Sequence, residues 1–494
     1  MKAVKITALS ARKARNEHQS IIKVLKTALI FAGVVGGLVA LIIFLCANKI
    51  ATHVMSMHLS IYALRVLAPG LLIVAFLGVL RGFFQGMGTM YPTAISQVLE
   101  QIINAVVSLV AASYFFKVGT MAMKKAGTTD NLSGAYGAAG GTLGTVVGAL
   151  TALVFLLWLL FMMRKVLHSY ARQPAVVDES YGTIFKVLIL TIAPVIMSTA
   201  IYNISQVIDQ AVFAKAMQVQ GYKESTYSAM LGMFSGKYNT LINVPLAIAN
   251  ALAVSVIPSM TTVKVQGNKD EMLEKMALSI RFAMIIAIPS FVGYLIYAHP
   301  VIDLLYNGNI DMPSSMLKLG AISVVFYCLS TVTNALLQGI DKMMTPVRNA
   351  AVSLLIHLVS LLIMLIVFHM TIYAVVLANV VFSLCMCIFN QLSIRHYTGY
   401  RQEFTKTFLL PLAASAIMGL VSFLFHKLFS FMRLGGAATL IALLIAVIVY
   451  AIALLALGVF KRSELMMMPG GRKIVRFLDR FKLMRSESGG SEQQ

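Results

Sequence analysis

The sequence predicts an all-α integral membrane fold built from two parallel-repeat helical lobes, and three observations predict it. The chain is 59% hydrophobic and 12% charged. A soluble protein carries about a quarter charged residues, so this one lacks the charge to coat a globule of its size. Apolar runs recur between charged or Gly/Pro/Asn punctuation, twelve in all, each long enough as a helix to cross a hydrocarbon core of roughly 30 Å. A Gln-Gly, a short polar hinge and a Pro also occur twice, in "LRGFFQGMGTMYP" (80–92) and "LLQGIDKMMTP" (336–346), each time between two such runs. The weak alternation of a membrane barrel is absent, which leaves helices.

The spans follow in order. The first, 23–47, comes after a basic linker with Arg12, Lys13 and Arg15. The second, 61–84, has Arg65 near its start and Arg81 near its end. Pro92 precedes the third, 93–116, where Glu100 is flanked by Gln97 and Asn104. The fourth and fifth, 136–161 and 184–212, are separated by a second basic linker, and the fifth ends in "YNISQVIDQAVF". The sixth, 236–260, opens on "GKYNTLINVP". The seventh, 276–298, holds Arg281 and Pro289; the eighth, 316–337, has Lys318 near its start. Pro346 opens the ninth, 346–368. The tenth, 371–392, contains Cys385 and Cys387, read as two small hydrophobes because the partner ligands of a metal site are missing. The last two are 404–426 and 438–460, the latter 23 residues without a charge.

A formal charge of +22 invites a nucleic-acid reading, but the cations sit in short linkers and in the tail from Lys461. If the linkers 1–22, 85–92, 162–183, 261–275, 338–345 and 393–403 lie with the tail on one face, that face collects about 29 of the 40 Lys and Arg residues, which makes it cytoplasmic. The chain is then a multi-pass cell-membrane protein with both ends inside and no nucleic-acid partner. The tail segment "GRKIVRFLDRFKLMR" (471–485) has the pattern of a helix lying on anionic lipids.

The two hinge motifs stand 253 residues apart, measured between Gln85 and Gln338. A basic linker leading into a span precedes both. Both copies run inside to inside, so the repeat is parallel, as in transporters whose halves rock about a central site. Each Gln-Gly is expected to end a helix on a left-handed Gly, and each Pro to begin the next. The repeat divides the chain into a first lobe over 1–165, a second six-helix lobe over 166–395, a helix pair over 396–465 and an amphipathic and disordered tail over 466–494. Shifting the second lobe back by 253 places its first two helices before residue 1, so the first lobe is expected to lack them. Twelve spans are present of an expected fourteen.

Charges inside spans usually face a cavity or a partner. Asn203, Gln206 and Asp209 stand at three-residue spacing, near one face of the fifth span. They form either a structural polar cluster or, through Asp209, an ion-coupling or gating site. Lys237 and Asn243 enter the sixth span; Lys237 is the leading cation for a diphosphate, or else snorkels to the headgroups. Arg81 either binds an incoming phosphate or anchors the interface. Glu100 is either its partner across the hinge or a gate residue. Arg65 completes the set. Pro194, Pro245 and Pro289 interrupt predicted helices and either kink them for motion or shape static packing. No linker exceeds roughly 25 residues, and none carries an Asp cluster, a nucleotide loop or a nucleophile–base set, which argues against an enzyme.

"RGFFQGMGTMYPTAISQVLEQI" (81–102), "ISQVIDQAVF" (204–213) and "TLINVPLAIANALAVSVIPS" (240–259) resemble the Firmicute branch of the MOP exporter superfamily, among them the stage V sporulation protein B-like polysaccharide biosynthesis proteins and the lipid II flippases of the MurJ type. The resemblance runs to about residue 465 and implies the MATE/MOP-like fold: two six-helix lobes in a V shape plus a C-terminal pair. It implies a flippase for undecaprenyl-diphosphate-linked saccharides, lipid II first among them, for peptidoglycan or related wall or spore polysaccharide. A MATE-like cation-coupled exporter is the alternative. No cofactor is implied; the energy source is the membrane potential or a monovalent cation, and a monomer is expected. The cationic residues that the family carries on its first two helices have no positions here.

Overall fold

The computed structural model describes residues 18–87, 89–127, 131–165, 205–432 and 435–459, with residues 182, 183, 185 and 203 in addition. Among these residues the architecture is all-α, and eleven helices are long and apolar enough to cross a membrane. Most of the fifth expected span, with Pro194, and the tail from residue 460 lie outside the described residues. The chain divides into two compact units, Met1–Ser228 and Ala229–Gln494.

The first unit contains α1 (His18–Lys49), α2 (Ile61–Gly86), α3 (Tyr91–Ala126), α4 (Leu132–Met162) and a helix over residues 205–219, α5. Leu77, Leu80, Phe83 and Phe84 of α2 are buried against Val24, Leu25 and Ala28 of α1 and Ala149, Ala152 and Leu156 of α4. α3 and α4 approach each other through a glycine stripe. A Cβ on Gly144 would lie 2.1 Å from Ser108 Oγ, and one on Gly140 would lie 2.5 Å from Ala111 O. Only glycine permits that backbone approach, the small-residue packing that stands in for hydrophobic burial between helices in lipid. Asn131 caps α4 by accepting from Gly134 N at 3.0 Å.

α6 (Glu224–Met233) passes through a π-turn, Phe234–Tyr238, into α7 (Asn239–Gln266), crossing from the first unit to the second. α8 (Lys269–Leu305), α9 (Asp311–Gly339), α10 (Met344–Ile366) and α11 (Ile372–Thr398) follow. α9 is the centre of the second unit, packed against α7, α8 and α11, with Leu317, Val324, Cys328 and Leu336 buried. The expected C-terminal pair is α12 (Leu410–Phe431), entered through a π-turn at Thr405–Leu409, and α13 (Gly436–Ala456). It docks on α8, where the Tyr450 hydroxyl donates to Ile285 O at 2.7 Å.

The repeat extends to whole helices. α2 and α9 end 253 residues apart, at Gly86 and Gly339, and α3 and α10 begin 253 apart, at Tyr91 and Met344. From α4 to α11 the spacing falls to 240. The 13 residues lost are the difference between α3, with 36, and α10, with 23.

One expectation fails. Gly86 and Gly339 are not left-handed caps: each is the last helical residue, followed by Met87 (φ −74°) and Ile340 (φ −89°). Gly339 is required by contact instead, because a Cβ there would meet Met260 Cβ of α7 at 2.6 Å. The left-handed residue of the second hinge is Asp341, φ 65°. The prolines behave as expected, Pro92 and Pro346 both standing in the first turn of their helices, where no donor is needed.

Candidate functional site

At the first hinge, α2 ends with Arg81 buried against the start of α3. Its Nε donates to Ser96 Oγ at 2.9 Å and its Nη2 to Glu100 Oε2 at 2.6 Å. The Ser96 hydroxyl in turn donates to Thr93 O at 2.8 Å. The side chains of Arg81 and Glu100 are only 10% and 19% exposed, so the pair is a charge-assisted bond in a dry setting. Asn104, one turn on, accepts from Ser108 Oγ at 2.8 Å and faces Thr145 of α4.

At the equivalent corner of the second unit no charged side chain stands where Arg81 and Glu100 do. The 253 spacing sets Asn334 opposite Arg81 and Asn349 opposite Ser96. Asn349 Nδ2 donates to Asn390 Oδ1 at 2.9 Å, and Asn390 Nδ2 lies 2.7 Å from Asn334 Oδ1 and 3.1 Å from Thr333 Oγ1. Sequence reasoning missed this amide network. Its signal was the repeat spacing itself, except for Asn390, which lies beyond the change of spacing. His357 was missed too. It is 1% exposed, with Nδ1 2.8 Å from Ala378 O, and an ionisable ring buried in a span is a functional candidate by default.

In α5 the buried stripe is Ser205, Asp209, Phe213 and Met217, while Asn203 and Gln206 are exposed. Asp209, 2% exposed, therefore belongs with the packed side of the helix rather than beside the two amides.

Lys237 sits in the π-turn between α6 and α7. Its ammonium donates to Asn307 O at 3.0 Å and Asn309 O at 2.8 Å, and lies 5.6 Å from the Tyr306 ring centroid. Two of its three donors thus hold the loop between α8 and α9. Asn243, further along the span, is exposed, as is Arg65 on α2. Neither hydrogen-bonds to a described residue. Thr261 and Lys264, in the last turns of α7, clasp the second hinge by donating to Gly339 O and Ile340 O at 3.2 and 2.9 Å.

Arg281 is also buried and pairs with Glu403 at 2.7 Å, tying α8 to the loop before α12. Tyr400 of that loop lies beside the pair. Burial, then the Glu403 carboxylate, pushes its phenol up to about 12, with Arg281 opposing. Pro245 and Pro289 both lie inside continuous helices. Cys385 and Cys387 are free thiols, and among the described residues no group of three or more His, Cys, Asp or Glu side chains is placed to hold a metal ion.

A family model described as lipid II flippase MurJ matches residues 3–461. Lipid II flippase MurJ of Bacillus subtilis (strain 168) is 24% identical over 429 residues, which are 83% of this chain and 76% of that one. Stage V sporulation protein B of the same organism is 22% identical over 468 residues, 94% of this chain and 86% of that one. Among solved structures, lipid II flippase MurJ in an inward closed conformation aligns with a TM-score of 0.60 at 15% identity, covering 91% of this chain and 88% of that one. An inward-facing multidrug resistance MATE family transporter of the MOP superfamily aligns with a TM-score of 0.63 at 15% identity, covering 80% and 86%. The two-lobe MATE/MOP fold is therefore common to both kinds of protein.

Proposed function

This chain belongs to the lipid II flippase MurJ family, within the MOP superfamily of membrane transporters, and on that premise we propose that it carries an undecaprenyl-diphosphate-linked saccharide, lipid II first among them, from the inner to the outer leaflet. The observation that carries this reading is the family match over residues 3–461. The fold does not carry it, because a multidrug transporter fits as well as a flippase.

A diphosphate crossing a low-dielectric interior needs cations and donors along its way. In this reading Lys237, whose ammonium keeps one donor free of the 306–310 loop, and the exposed Arg65 and Asn243 meet the headgroup. Asn203 and Gln206 add exposed amides, and Asp209 couples the cycle to a monovalent cation or to the membrane potential. Arg81 and Glu100 already neutralise each other, so their part is to hold the cytoplasmic hinge closed rather than to meet phosphate. The lobe limits at 165 and 395, and the cytoplasmic placement of both ends, belong to the same proposal. Anionic lipids of the inner leaflet would steady the basic tail.

The experiment is complementation of a strain depleted of its lipid II flippase, with externally accessible lipid II as readout. Growth and restored accessibility are expected. Correctly inserted, abundant protein that restores neither, yet extrudes a cationic dye, would establish the MATE-like alternative instead.

A further inference from the structure

The segment from Glu224 to Tyr238 is tied at two points to two loops, and the loops are repeats of each other. Near its start, Glu224 pairs with His58, and the Tyr227 hydroxyl donates to Ser56 O. Near its end, Lys237 donates to Asn307 O and Asn309 O. Ser56 and Asn309 are 253 residues apart, the repeat spacing. Each loop turns through one left-handed residue, Ser56 (φ 51°) or Gly308 (φ 87°), and then enters the central helix of its unit, α2 or α9. Arg65 and Lys318 follow at the same spacing.

The two ties are not alike in what they join. By sequence repeat, α6 and the 306–310 loop both belong to the second lobe, so the Lys237 tie is internal to it. The tie from Glu224 and Tyr227 reaches a loop of the first lobe. The compact first unit runs to Ser228, past residue 166 where the second lobe is expected to begin. If the lobes move as bodies, the first tie must part and the second must hold. The side chains suit those parts. His58 and Glu224 are 48% and 26% exposed, so their bond is readily exchanged for water. Lys237 adjoins Tyr238, which is buried against α9 so closely that a Cβ on Gly320 would lie 2.1 Å from its hydroxyl. The π-turn that carries Lys237 also holds Gly236, and Gly232 lies just before it, both with open space where a Cβ would be, while Phe234 and Tyr238 of the same turn are buried.

Resting on the transport reading above, we infer that His58, Glu224, Tyr227 and the Ser56 carbonyl form a releasable latch. It holds the two lobes together at the end opposite the Gln-Gly hinges. Lys237, within the packed π-turn, is the fixed anchor of the same strap. His58, Glu224 and Tyr227 are positioning residues, placed to act on conformation rather than on substrate.

The test is double electron–electron resonance on the full chain in vesicles, with and without lipid II, the four native cysteines being replaced by serine. Spin labels go beside the contacts, not on them. One pair is Leu59→Cys with Lys223→Cys; the other is Ser235→Cys with Asp311→Cys. The first pair should give two distance populations, and the second a single one. Tyr227→Phe combined with Glu224→Gln should shift the first pair at least threefold toward the longer distance and leave the second unmoved. A single short distance for the first pair under every condition, or a splitting of the second, would overturn the latch. These distances decide the question whatever the substrate. A failure of the flippase reading would show separately, as absent lipid II transfer by the unlabelled protein in the same vesicles.

Discussion

Arg81 should be the costliest single residue to remove at the first hinge, because Arg81→Ala strands the Glu100 carboxylate where water barely reaches. Breaking a buried pair from one side costs about 3 kcal/mol, so a lower unfolding temperature in detergent is expected, partly recovered by adding Glu100→Gln. Equal temperatures for the parent and Arg81→Ala would refute the pairing as a stabilising contact. Lys237 is expected to act twice, on substrate and on the 306–310 loop. Lys237→Ala should cut externally accessible lipid II about tenfold, equivalent to roughly 1.4 kcal/mol, while Lys237→Arg keeps more of it. Parental accessibility in Lys237→Ala would remove it from the path. Asp209→Asn keeps shape and hydrogen bonding while deleting charge, so lost transport with unchanged stability is the expected sign of coupling. The Arg81–Glu100 pair was legible in sequence because both residues flank one short hinge. Glu403, the partner of Arg281, was not, since 122 residues separate them and a loop brings them together. The reading of Asn203, Gln206 and Asp209 as one face went astray by geometry. Two steps of three residues drift about 120° around an α-helix, whereas the buried stripe runs in steps of four.

Helices behave as their sequences suggest where apolar length decides, and differ where contact does. The described spans fall where hydropathy put them, but α3 runs through Lys117 to Ala126, a stretch that punctuation by charge had assigned to a linker. Lysines end a span in hydropathy; they do not end a helix. The π-turns at Ile50–Val54, Phe234–Tyr238 and Thr405–Leu409 have no signature in composition, because one extra residue in a turn leaves the apolar pattern intact. The hinge glycines were credited with the wrong duty for a related reason: sequence shows that a side chain is missing, not what occupies its place. That distinction can be measured on the α3–α4 pair. Gly144→Val must push against the Ser108 backbone, 2.4 Å from the added Cβ, and should destabilise the protein by a few kcal/mol, whereas Gly141→Ala, which meets nothing within 4 Å, should cost about 0–0.5 kcal/mol. Similar melting of the two variants would contradict the close approach of these helices.

The molecule as a whole is organised by its repeat, and its charge asymmetry is expected to orient it. With the native cysteines replaced, Lys124→Cys should be labelled in intact cells by a membrane-impermeant thiol reagent, and Glu274→Cys only after permeabilisation. The opposite pattern would invert the topology and move the hinges to the outer face. The two halves are not equal in reach, however. The 13 residues by which α3 exceeds α10 amount to about 20 Å of extra helix, ending at the exposed Lys124 and Lys125. The tip of the α3–α4 hairpin is therefore a handle that the other half lacks. An epitope inserted after Gly127 should leave folding undisturbed, and an antibody fragment gripping it would give a small membrane particle the mark needed to align its images.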